Sequence, residues 1–272
     1  MAFAFMTYEE IYRAIEKDMP DVFAHYHKVI KSKVDRRLKT AIRFPQRISI
    51  NWTHPKSRNT CSYFIQSNRR SQWDNPFMSV CYEHEVKKGR ELLIVVPTTY
   101  KKGLLLNVFT SHFYEQYGKR FLNGKTDIRS IVAQYLIRNT AAAALGPECV
   151  SLKEQQEAVP GFTKESMLTL DGIGLGLRSF DGNIVVYRTF VSFDQLFEKQ
   201  YEKVWPNYLY FVCLLVQADS PRHIAHINEI YETWASKMHQ LADDTTMSED
   251  DKRTLIYDEF KETYQKLIQH KV

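Results

Sequence analysis

His112, Gln116, Lys119 and Arg120 follow one another at spacings of four, three and one, so in a helix they form a single polar stripe. An imidazole beside two cations suits general acid–base chemistry on a phosphodiester. It titrates near neutral pH, and neighbouring cations stabilise the negative charge that builds on the phosphoryl oxygens. Arg188 and Thr189 close a later hairpin and reach the same side if that hairpin packs beside the helix. The same residues also read as a solvated helix face plus an edge-strand arginine.

The flanking sequence predicts how this stripe is held. Thr110 or Ser111 is suited to cap the helix, Glu115 suits its positive end, and Asn123-Gly124 provides a left-handed stop. Phe113, Tyr114, Tyr117 and Phe121 fall on the opposite side and should pack on a sheet. A strand-like run, 103–109, precedes the helix. Two apolar runs, 167–177 and 184–191, follow it, joined by Ser179-Phe180-Asp181-Gly182-Asn183. Asp-Gly between such runs is a strong hairpin signal. Gly172, Gly174 and Gly176 alternate with Ile173, Leu175 and Leu177, leaving one strand face bare for a crossing helix or a ligand backbone. The G-x-G-x-G run is no dinucleotide fingerprint, because a hairpin follows where a helix is required.

Upstream, Thr7-Tyr8-Glu9-Glu10 has the spacing of a capping box for a helix that stops near Pro20, with a second helix over 21–39. Between Lys28 and Arg47 stand eight basic residues (Lys28, Lys31, Lys33, Arg36, Arg37, Lys39, Arg43, Arg47) against one acid, Asp35. Two readings are open: a solvated helix face, or a surface that meets a phosphate backbone. Strand-like runs at 47–52, 60–66, 77–82 and 91–96 predict an antiparallel meander into 103–109. Arg69, Arg70 and Trp73 add a basic-aromatic corner. Residues 127–144 read as a helix, 148–164 as a long loop, and Ser192 as the cap of a helix ending before Pro206. Further helices are expected over 208–216 and 223–241, and after Ser248. His223, His226 and Glu229 have the spacing of a metal site on one helix turn. Cys81, Glu83, His84 and Glu85 are ligand types that Cys61 would complete. Ordinary polar faces explain both groups equally well.

The 272 residues suffice for a buried core, and 44% hydrophobic against 25% charged residues is the balance of a soluble globular chain. A net charge of +5 is too mild to establish a polyanion partner by itself. Cys61, Cys81, Cys149 and Cys213 form no C-x-x-C pair, and residues 1–20 do not read as a signal peptide. Reduced thiols in a cytoplasmic protein are therefore expected. The longest apolar run, 208–216, falls well short of a membrane span.

The segment Thr110-Ser111-His112-Phe113-Tyr114-Glu115-Gln116-Tyr117-Gly118-Lys119-Arg120-Phe121 resembles a helix of uncharacterised Bacteroidetes and mobile-element proteins. Those read H-F-x-x-R-Y-x-x-R after a strand, and Gln116 stands here in place of the first arginine. A helix of this pattern followed by an antiparallel sheet, roughly 103–191, is also similar to the barnase–EndoU–colicin–RelE nucleases. That resemblance implies a metal-independent, toxin-like ribonuclease with no cofactor. His112 would be the acid/base, Arg120, Lys119 and Arg188 would hold phosphate, and Thr189 or Tyr187 would position it. The substrate 2′-hydroxyl would attack, leaving a cyclic phosphate. Lys28, Lys31, Arg36, Arg37, Lys39, Arg43 and Lys119 would bind the nucleic acid. The rival expectation is a non-catalytic interaction protein of a phage or mobile element, binding a protein or nucleic acid partner. Either way the expected fold is α+β: N-terminal helices, a largely antiparallel sheet and a central His/Arg helix in 1–205, with a C-terminal helical segment in 206–272. No membrane partner is expected.

Overall fold

The computed structural model describes residues 3, 5–86, 89–98, 103–122, 124, 127–139, 142–145, 159–192, 195, 198–219 and 221–269. The chain opens with the capping box the sequence announces. Thr7 Oγ1 accepts from the Glu10 amide at 3.3 Å and the Glu10 carboxylate accepts from the Thr7 amide at 2.8 Å. Helix α1, Tyr8–His25, does not stop at Pro20 but runs through it. The proline forfeits one intrahelical bond, which burial of Ile15, Met19 and Val22 around it offsets. One π turn, Tyr26–Ile30, leads into α2, Lys31–Thr40. Val22, Tyr26, Ile30, Val34 and Leu38 are all buried at steps of four. Steps of four drift around an α-helix, and the wider π turn sets the stripe back toward the sheet.

A sheet of nine strands follows, ordered β1-β2-β3-β4-β5-β9-β8-β7-β6. Strands β1 (Gln46–Thr53), β2 (Thr60–Ser67), β3 (Phe77–Val86), β4 (Gly89–Thr98) and β5 (Gly103–Phe109) form the expected antiparallel meander. Helices α3 (Ser111–Phe121) and α4 (Ile128–Arg138) come next. The helix expected over 127–144 ends early, and Ala143–Ala144 pairs with the next strand as β6. The apolar run 167–177 is split between two strands, β7 (Phe162–Leu168) and β8 (Gly172–Ser179). The turn between them closes where the Thr169 amide and hydroxyl both donate to the Gly172 carbonyl. Of the loop expected over 148–164, residues 148–158 lie outside the described residues, and 162–164 belong to β7.

The predicted hairpin forms about Gly182 (φ 78°) and delivers β9, Ile184–Ser192, which pairs parallel with β5. The two helices expected on either side of Pro206 are one, α5 (Glu198–Asp219), so the 205/206 division falls inside a helix. Ser192 ends β9, and the turn it was expected to cap lies mostly outside the described residues. Helices α6 (Ile224–Asp243) and α7 (Glu249–Gln269) complete the chain, and Ser248 caps α7 by accepting from the Asp251 amide.

The fold is thus α+β, with the sheet between helices. On one face α1 and α2 bury Ile11, Ile15 and Leu38 against Tyr63, Leu93 and Val108. On the other, α3 and α4 bury Phe113, Tyr117 and Tyr135 against Phe109, Tyr187 and Phe190. Helices α5 to α7 enclose a third cluster that includes Leu175, Leu209 and Trp234. Each fully buried side chain of this size contributes about 1.5–3 kcal/mol. Among the described residues no helix is long and apolar enough to cross a membrane.

Candidate functional site

Helix α3 is seated by its cap. Thr110 Oγ1 accepts from the Phe113 amide at 3.3 Å and donates to the Arg188 carbonyl at 3.1 Å, while the Thr110 amide donates to the Tyr187 carbonyl at 3.1 Å. Phe113, Tyr114 and Tyr117 are fully buried. Phe121 is only half-buried and stacks on Tyr117 with centroids 5.2 Å apart. The glycine strand admits this helix: a Cβ at Gly174 would stand 3.2 Å from the Phe113 ring. Of the two uses the bare face allowed, the crossing helix is the one observed.

On the outer side of α3 the His112 side chain is 60% exposed, and a carboxylate, Glu115, stands 4.0 Å from it. Lys119 is exposed, Gln116 half-buried. Arg120 is also half-buried, its Nη1 shielded from solvent. Arg188 occupies a β-bulge, the extra residue of β9 opposite Leu175 and Gly176. Alternation from Ile184 and Val186, which pack in the α1 core, puts the exposed Arg188 on that side of the sheet, away from α3. Thr189 is half-buried. Tyr187 is buried against Phe109 and Phe113, and that burial pushes its phenol up. The hairpin therefore does pack beside α3, as expected. The Arg188 charge nevertheless lies toward α1, and Tyr187 is a core residue.

Asp171, in the β7–β8 turn, fixes the position of α3. Its carboxylate takes two bonds from Arg138, at 2.7 and 2.5 Å, one from the Tyr117 hydroxyl at 2.6 Å and one from Asn139 at 3.1 Å. Burial alone would raise its pKa, but these donors outweigh it and hold the carboxyl below its ordinary range. No sequence signal marks this cluster, because its members come from α3, the end of α4 and a turn.

The basic run remains on the surface. Lys28, Lys33, Arg36, Arg37, Lys39, Arg43 and Arg47 are exposed. Among the described residues, Lys31 alone of the eight pairs with a carboxylate, that of Asp35 at 2.6 Å. Lys39 Nζ stands over the Trp73 ring, 5.3 Å from its centroid, so the basic-aromatic corner joins the same surface. Nearby, His25 stacks on Trp52 at 4.4 Å, and burial together with Lys33 lowers its pKa.

Strand alternation separates the thiols of the second candidate ligand group, placing Cys61 and Cys81 in cores on opposite faces of the sheet. His84 is engaged by Glu91 at 3.1 Å and by the Phe3 carbonyl at 3.1 Å. His226 lies 3.3 Å from Glu229 on an exposed turn. Clefts of about 330 and 550 Å³ flank α4, the second bordered by Asn107, Tyr135, Met167 and the Arg178–Glu165 pair. Another polar cluster joins His54, Ser57 and Asn59 of the β1–β2 loop to Asp18 and Asp21 of α1. No family model matches the chain, and neither a curated protein nor a solved structure matches it.

Proposed function

We propose that the protein binds nucleic acid, single-stranded RNA in particular, through the basic face of α2 and the start of β1. The observation that carries this reading is seven exposed cations between Lys28 and Arg47 that have no carboxylate partner among the described residues. A solvated helix face normally intersperses both signs of charge. One sign left uncompensated suits a phosphate backbone, whose condensed counterions are released on binding. Trp73 at the edge of the patch offers a ring on which unpaired bases can stack, which favours a single strand over a duplex.

Binding without cleavage is the better supported form of this reading. The charged neighbour of His112 is a carboxylate, Arg120 is half-buried with its Nη1 shielded, and Arg188 lies on the α1 side of the sheet. A phosphodiesterase centre needs these cations converging on one phosphate. The deciding experiment titrates a fluorescent single-stranded RNA with the protein across a range of salt. Binding that weakens steeply with salt is expected, and no binding at low salt overturns the proposal.

A further inference from the structure

Residues 54–59 form a tight loop above α1, at the far end of β1 from Arg47. The His54 amide donates to the Asn59 carbonyl at 2.8 Å and the Arg58 amide to the His54 carbonyl at 3.0 Å. Five polar side chains converge there. Ser57 Oγ lies 3.0 Å from His54 Nδ1 and donates to Asp18 Oδ2 at 2.5 Å. His54 Nε2 is 3.1 Å from Asp21 Oδ2, and Asn59 Nδ2 donates to Asp18 Oδ2 at 2.7 Å. The Ser57 amide donates to His54 Nδ1 at 3.0 Å, so Nδ1 holds the lone pair and Nε2 carries the proton given to Asp21. His54, Asp18 and Asn59 are buried, whereas Ser57 is exposed.

Two further features accompany this arrangement. Arg58 adopts φ 64°, a left-handed conformation that is strained for a non-glycine residue and that clusters at functional sites. Lys56 and Arg58 flank the serine, both exposed and paired with no carboxylate among the described residues. Anchoring a hairpin loop needs one acceptor for the serine hydroxyl. Here two stand within reach of it, one of them an imidazole whose other nitrogen faces a carboxylate.

We propose that Ser57 is a nucleophile, His54 its general base and Asp21 a positioning carboxylate, in a centre that hydrolyses carboxylic esters bearing a negative charge. The Ser57 hydroxyl turns from Asp18 Oδ2 to His54 Nδ1, which gives up the Ser57 amide, and Oγ forms a bond to the acyl carbon as its proton passes to Nδ1. The resulting imidazolium lies between Asp21, at 3.1 Å, and Asp18, at 3.8 Å, and both carboxylates stabilise it. The C–O bond to the leaving alkoxide breaks, and His54 protonates that oxygen. Water then attacks the acyl carbon and gives its proton to His54. His54 returns that proton to Ser57 Oγ as the acid departs. Lys56 and Arg58 select the anionic ester. None of this depends on the nucleic acid reading.

The test treats the folded 272-residue chain with a fluorophosphonate probe and maps the adduct by peptide mass spectrometry. Attack forms the Oγ–P bond and expels fluoride. An adduct on Ser57 is expected, lost in Ser57→Ala and slowed about 10²- to 10⁴-fold in His54→Gln, the usual share of a general base. Circular dichroism of each variant separates lost chemistry from lost fold. Turnover of mono-4-nitrophenyl succinate should exceed that of 4-nitrophenyl acetate, and Lys56→Ala with Arg58→Asn should erase the difference. Asp21→Asn should lower kcat while leaving KM in place. No adduct on the wild-type protein, or one mapped to another residue and retained in Ser57→Ala, overturns the proposal.

Discussion

The hydroxyl of Thr110 caps α3 and, in the same position, donates to the backbone carbonyl of Arg188 at 3.1 Å. One side chain thus ties the start of the His/Arg helix to the bulge of β9, across 78 residues of sequence. Strand alternation controls where the charge goes. It carries Arg188 to the face of Ile184 and Val186, where α1 packs, while the helix presents His112 on its outer face.

That separation predicts the behaviour of the His/Arg helix. In EDTA at neutral pH the wild-type protein should leave a labelled RNA intact, and His112→Ala should keep RNA affinity within about two-fold. If the wild type cuts RNA, and His112→Ala lowers the rate by about 10² or more while binding persists, the acid–base reading of His112 replaces the binding-only one.

The basic face predicts a salt signature. For a single strand, the slope of log K against log salt changes by about 0.7 per phosphate contacted. Neutralising Arg36, Arg37 and Lys39 together should therefore flatten the slope by about 2. Neutralising Lys119, on the opposite side of the sheet, should leave it unchanged. Fluorescence anisotropy across a salt series measures both.

Asp171 links stability to pH. Its carboxyl titrates lower in the folded chain than in the unfolded one, because Arg138, Tyr117 and Asn139 outweigh its burial. The stability it provides is therefore present above the ordinary carboxylate range and lost as pH falls through the folded value. Asp171→Asn should flatten the acid limb of a stability–pH curve measured by urea unfolding. Arg138→Met should cost about 1–3 kcal/mol at neutral pH, since it strips donors from a buried carboxylate, less what water screens at the half-exposed guanidinium.

The glycines of β8 are not equivalent. A Cβ at Gly176 would sit 2.6 Å from the Val186 carbonyl oxygen in the neighbouring strand, and that backbone cannot yield without breaking the ladder. Gly176→Ala should cost about 1–3 kcal/mol, the usual range for overpacking. Gly174→Ala meets a Met167 methyl and the edge of the Phe113 ring at 3.2 Å, which can shift, so its cost should be smaller. Denaturant midpoints of the two variants decide the order.

The buried thiols should be chemically silent. Burial pushes the Cys61 thiol up to about 11 and that of Cys81 higher still. Neither should react with iodoacetamide at pH 7 until urea unfolds the chain.

Local signals told most of the secondary structure. The Thr7 capping box, the meander, the Thr110 cap, the aromatic side of α3 and the Asp181-Gly182 hairpin were all legible, because each depends on residues within one turn or one strand repeat. The errors fell where packing overrides local preference. Pro20 and Pro206 read as helix ends, yet both helices continue, since buried apolar neighbours outweigh one lost hydrogen bond. The run 167–177 read as one strand because its apolar alternation hardly falters across the turn at Thr169–Asp171. The candidate sites divide in the same way. The charge run of α2 was visible as composition and stays on the surface. The direction of Arg188 was not, because it depends on which face of β9 α1 and α3 each cover, and only the packed sheet decides that. The Asp171 clamp and the Ser57–His54–Asp21 group were equally hidden: both bring together side chains from elements that meet only when the sheet closes against its helices. By itself the sequence determined most of the helices and strands and which of their faces are apolar, because those depend on near neighbours. Which polar groups meet was decided only by the tertiary structure, since that depends on strand order, register and bulges.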